Sequence, residues 1–110
     1  MTLFNKMTAR EAYAAYFSGS LLVNVSENPR FANKDLDVKH VLHIPFSQMP
    51  KRMTELPKDR NVVLISGVGN KGKHAAEMLL SSGFDADRVA FVEGGMAAWE
   101  EEGLPVHTQA

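Results

Sequence analysis

The chain has 110 residues, 45% apolar and 23% charged: the size and balance of one globular domain, able to bury roughly 60–70% of its unfolded surface. A net charge of −1 argues against a nucleic-acid surface, which shows a basic excess. The absence of cysteine excludes disulfides, persulfides, thiolate metal sites and iron–sulfur clusters.

The opening Met1-Thr2-Leu3-Phe4-Asn5-Lys6 lacks the apolar core of a secretory signal. No apolar run approaches the ~20 residues a membrane span needs. The expectation is a single cytoplasmic domain over 1–110, with no membrane partner and no nucleic acid. Thr8-Ala9-Arg10-Glu11 has the capping-box pattern of a helix start. Ala12, Tyr13, Tyr16 and Phe17 share one face of that helix and read as core, and Ser18-Gly19-Ser20 ends it. Leu21 to Val25 reads as a buried strand broken by one polar residue. Ser26 to Asp37 is polar, contains Pro29 and reads as an irregular loop with room for one helical turn. Val38 to Ile44 is a second short strand closed by Pro45, with Ser47 placed to cap a short helix reaching Leu56-Pro57.

Asn61 to Ile65 is a β-branched run and the expected central strand. Lys71 to Ser82 reads as a helix with Ala75, Ala76, Leu79 and Leu80 on one face and Gly83 just past its end. Arg88 to Val92 is a further strand. Gly94-Gly95 turns into a last helix carrying Met96 and Trp99, which stops at Gly103-Leu104-Pro105. Strands alternating with helices predict an α/β domain: a mainly parallel sheet of about five strands with helices on both faces, in three layers.

The segment with most chemical content runs Val62-Val63-Leu64-Ile65-Ser66-Gly67-Val68-Gly69-Asn70-Lys71-Gly72-Lys73-His74. A strand stops at a serine, passes a glycine-rich turn and enters a helix, so free N–H groups converge on one point as an anion cradle. Ser66, Gly67, Val68, Gly69, Asn70, Lys71 and Gly72 are the candidate binding loop. Gly67 to Lys73 also fits G-x-x-x-x-G-K, but His74 stands where a phosphate loop needs a hydroxyl for magnesium. A hydrolase reading would pair Ser66 with a base, and His74 is the nearest in sequence. His40 and His43, with Asp35 and Asp37 nearby, invite a zinc idea. On a strand, however, residues 40 and 43 face opposite sides, and no metal or cofactor is expected.

Taken with the Glu93-Gly94-Gly95-Met96-Ala97-Ala98-Trp99 segment, the chain resembles a rhodanese-like domain of the sulfurtransferase superfamily. Ile44-Pro45, Leu56-Pro57, Val62 to Ile65, Gly69-Asn70, Gly94-Gly95, Trp99 and Gly103-Leu104-Pro105-Val106 fall in register with the family pattern, over roughly Thr8 to Val106. The resemblance implies a strand ending in a nucleophilic cysteine whose thiolate accepts and passes on a sulfane sulfur. Here Ser66 holds that place. Gly67, Val68 and Gly72 replace residues that are usually polar or basic, and Asn24 and Ser26 replace an Asp and an Arg. Asp37 to Val41 depart from the family's His-Ile-Pro-Gly-Ala.

A hydroxyl cannot copy the thiolate. An alkyl hydroxyl ionises about as reluctantly as water, and a helix N-terminus supplies at most ~2 kcal/mol, far too little to make it an anion at neutral pH. The expectation is a rhodanese-like module without sulfur-transfer catalysis that binds a small anion or a protein partner at the loop. The alternatives are an enzyme of another class on the same loop, serine-dependent or phosphate-binding, or a residual role in the sulfurtransferase family.

Overall fold

The structure, a computed structural model, describes residues 5–26, 34–36, 41–67, 71–104 and 106–108. Its strands are β1 (Asn5–Met7), β2 (Leu21–Asn24), β3 (Lys34–Leu36), β4 (Val41–His43), β5 (Val62–Ile65), β6 (Val89–Val92) and β7 (Val106–Thr108). Its α-helices are α1 (Ala9–Phe17), α2 (Met49–Arg52), α3 (Lys71–Ser81) and α4 (Gly95–Glu101). The main sheet has the order β1-β6-β5-β2-β4, and each neighbouring pair is parallel. β5 is therefore central, as its β-branched run predicts. A second, two-stranded sheet pairs β3 with β7 antiparallel.

The pleat sends alternate side chains to opposite faces, and both faces are covered. Val23, Val25, Val62, Leu64 and Val89 share a buried cluster with Met49 of α2 and with Ala75, Ala76 and Leu79 of α3. Leu22, Val63, Ile65, Ala90 and Val92 share the other with Ala9 and Ala12 of α1 and with Met96 and Trp99 of α4. This double burial explains why Val62–Ile65 is apolar without alternation: all four residues are buried, as in sheets covered on both sides.

The Thr8 capping box is formed in full. Glu11 N–H donates to Thr8 Oγ1 at 3.1 Å, and Thr8 N–H donates to Glu11 Oε1 at 2.9 Å. Such a cap contributes about 1 kcal/mol. Gly72 lies buried on α3, where a Cβ would come 3.3 Å from the Leu64 carbonyl oxygen and 3.6 Å from Phe91 Cβ. Glycine here lets the helix start lie close on the central strands.

Three expectations are corrected. Residues 34–36, within the predicted polar loop, form β3; three residues are too few for periodicity to register, and their pairing partner lies far along the chain. Ser47 does not hold an N-cap position: it lies inside the 3-10 turn Phe46–Gln48, and Gln48 is the residue before α2. Phe17 is 69% exposed rather than core, because it sits in the last turn of α1 beyond the edge of the sheet's cover. It still makes edge-on ring contacts with Tyr13 at 5.0 Å and Tyr16 at 5.2 Å.

Candidate functional site

All five strands of the main sheet run the same way, so their C-terminal ends share one edge, the usual place for ligands in open α/β sheets. Asn24 at the end of β2 pairs in register with His43 on one side and Ile65 on the other. Ser26 and Ser66 extend past these ends, and both are buried, at 3% and 2% exposure.

The start of α4 clamps the entry to the loop. Met96 N–H donates to the Ser66 carbonyl at 2.7 Å, and Ala97 N–H donates to the Gly67 carbonyl at 3.3 Å. Two consecutive glycines make this approach possible. Gly94 and Gly95 both take the left-handed region, at φ 81° and 60°, which costs other residues about 1–2 kcal/mol. A Cβ on Gly95 would also fall 2.3 Å from the Ser66 carbonyl oxygen. The Gly-Gly turn is thus built to seat α4 against the residue that follows the central strand.

Asn24 and Ser26 form the other wall. Asn24 Oδ1 accepts from Ser26 N–H at 2.9 Å, an Asx-type turn that ends the strand, and Asn24 Nδ2 donates to Met96 Sδ at 3.8 Å. His43 Nε2–H donates to the Ser26 carbonyl at 3.0 Å, since a carbonyl only accepts. In the sequence both residues of this wall register only as departures from a family pattern. The signal was the Asn-x-Ser at the end of an apolar strand.

Two basic side chains of the first turn of α3, Lys71 and His74, lie near Phe46. Lys71 Nζ stands 4.9 Å above the Phe46 ring, and the His74 ring lies 6.4 Å from it, centroid to centroid. No hydrogen bond joins Ser66 to His74, so the nucleophile–base arrangement a serine hydrolase needs is not formed. Lys73 is exposed. Val68, Gly69 and Asn70 lie outside the described residues, as do His40 and Asp37 of the zinc idea. His43 is engaged with Ser26, and the described residues hold no group of three or more His, Asp or Glu able to take a metal. Nearby, the Arg52 hydrogen bond holds the Glu55 carboxyl below the usual carboxylate range. The pair is exposed and contributes little to stability.

Residues 8–102 of the chain match the family model of the rhodanese-like domain. The chain belongs to the rhodanese-like domain family. A sulfurtransferase of Allochromatium vinosum is 36% identical over 69 residues, 63% of this chain and 63% of that protein. The chain thus spans somewhat less than two thirds of that relative's length. A Bacillus subtilis protein, provisionally named a sulfurtransferase, is 32% identical over 84 residues, 76% of this chain and 77% of that one. Among solved structures, a rhodanese-related protein from Thermoplasma volcanium superposes with a TM-score of 0.78 at 24% identity, covering 94% of this chain and 97% of its own. For a rhodanese-like domain, the notable chemical fact is the residue after β5: a serine, in 110 residues without a cysteine. Among the described residues, no helix is long and apolar enough to cross a membrane.

Proposed function

We propose that this rhodanese-like domain has given up sulfur transfer and acts as a binding module, taking a small anion or an anionic group of a protein partner at Ser66 to Gly72. The observation that carries the reading is Ser66 itself. It follows the central strand and is buried to 2% exposure, with its carbonyl clamped by α4. The scaffold of the loop entry is kept while the sulfur atom is gone. Two of the relatives carry sulfurtransferase names, the family resemblance implies a thiolate for that chemistry, and an alcohol at this position remains protonated at neutral pH. The N-terminal turn of α3 still offers backbone N–H groups, with Lys71 and Lys73 beside them, and such helix starts favour anions by about 0.3–1 kcal/mol.

Titrating isotope-labelled protein with inorganic phosphate is expected to shift the amides of Lys71, Gly72 and Lys73. Replacing both lysines by alanine is expected to weaken the response about fivefold, the equivalent of ~1 kcal/mol. Amides unmoved by phosphate would remove the binding reading. Ester or ATP hydrolysis that vanishes in Ser66→Ala would replace it with an enzyme of another class.

A further inference from the structure

At the opposite edge of the sheet, before β5 and β6 begin, lies an open cavity of about 300 Å³ lined by Met53, Thr54, Leu56, Lys58, Ser82 and Phe84. Its floor is apolar: Leu56 and Phe84 are buried members of the cluster beneath α2 and α3, with Met53 packed against it. Its polar groups are the hydroxyls of Thr54 and Ser82 and the ammonium of Lys58, and among the described residues no carboxylate lines it. The Lys58 ammonium stands 5.3 Å from the Phe84 ring centroid. Among the described residues it forms neither an ion pair nor a hydrogen bond. In the last turn of α3 the carbonyls of Met78, Leu79 and Leu80 already accept backbone hydrogen bonds. Ser82 N–H donates to Met78 and Leu79, Gly83 N–H to Leu80, and Phe84 N–H to Leu79.

We propose that this cavity is a binding site for a small amphipathic monoanion, an alkyl or aryl carboxylate. The apolar body of the ligand displaces water from Met53, Leu56 and Phe84, and its carboxylate pairs with Lys58 while accepting from the Thr54 or Ser82 hydroxyl. The volume sits at the small end of ligand pockets, and the composition, an apolar lining with a few convergent donors, is theirs. Among the described residues Lys58 is the one cation lining the cavity, and it matches one negative charge. The site is independent of the loop at Ser66, which lies past the other end of β5.

The test is titration of the isotope-labelled full chain with octanoate, read amide by amide. Binding with a Kd of about 1 mM is expected, with shifts centred on residues 53–58 and 82–84. Lys58→Met keeps the apolar stem and removes the charge at an exposed position, so the fold is retained; it is expected to weaken octanoate at least about tenfold. Octylammonium is expected not to bind. Octanoate shifts confined to the Ser66–Gly72 region, equal affinity in Lys58→Met, or equal binding of octylammonium would each overturn the proposal. Phosphate titration of Lys58→Met remains as in the parent, which separates this site from the loop.

Discussion

Trp99→Ala is expected to cost about 3–5 kcal/mol of folding stability, the range for deleting a buried aromatic side chain. Trp99 is fully buried, lies 5.5 Å edge-on to Tyr13 of α1, and belongs to the cluster that joins α1 and α4 to one face of the sheet. Removing it opens a cavity where two helices and the sheet meet, and the surrounding backbone is too well tied to collapse into the space. Against a typical domain stability of about 5–15 kcal/mol, the loss is large enough to leave part of the population unfolded. Because the chain has a single tryptophan, denaturant unfolding is followed by far-ultraviolet circular dichroism rather than fluorescence. A loss below about 1 kcal/mol would mean that the closing helix is not held as described.

Gly95→Ala is the second large effect, and its origin is different. The methyl group would meet the Ser66 carbonyl oxygen at 2.3 Å and the Gly67 carbonyl oxygen at 3.1 Å, both backbone atoms that cannot rotate away. The left-handed conformation adds about 1–2 kcal/mol to an overpacking cost of about 1–3 kcal/mol, for an expected total of about 2–5 kcal/mol. Gly103→Ala is the matched control. Gly103 also has a positive φ, 73°, but nothing lies within 4 Å of its added Cβ, so only the conformational cost of about 1–2 kcal/mol applies. Denaturation of both variants gives the difference. The Gly95 variant is also expected to lose phosphate shifts at Lys71 to Lys73, since relieving the clash displaces the residue that leads into the loop. Equal losses in the two variants would show that α4 does not press on Ser66.

Both effects were partly visible in the amino-acid order. Gly94-Gly95 followed by Trp99 announces a turn, a helix and a buried aromatic, and the apolar runs at 21–25, 61–65 and 88–92 announce strands buried on both faces. β1 and β3 were not legible. Asn5–Met7 and Lys34–Leu36 are short, rich in polar residues and strands only because a distant segment pairs with them, so no local pattern marks them. Phe17 was misjudged because helical periodicity gives the face of a residue and not how far along the helix the sheet's cover reaches. At the site, the serine and the glycine-rich turn were plain. The seating of Gly95 on the Ser66 carbonyl was not, because it joins residues 29 positions apart, as the numbering shows. The Asn24–Ser26 wall was visible only as a pair of unexpected polar residues, and its geometry needed the neighbouring strands.

The sharpest test is intact-mass measurement of the protein after incubation with thiosulfate, followed by addition of cyanide. The account predicts an unchanged mass and thiocyanate formation at the level of the protein-free control, since an oxygen at position 66 holds no transferable sulfur. A mass gain of one sulfur atom that maps to Ser66 and is discharged by cyanide would contradict it.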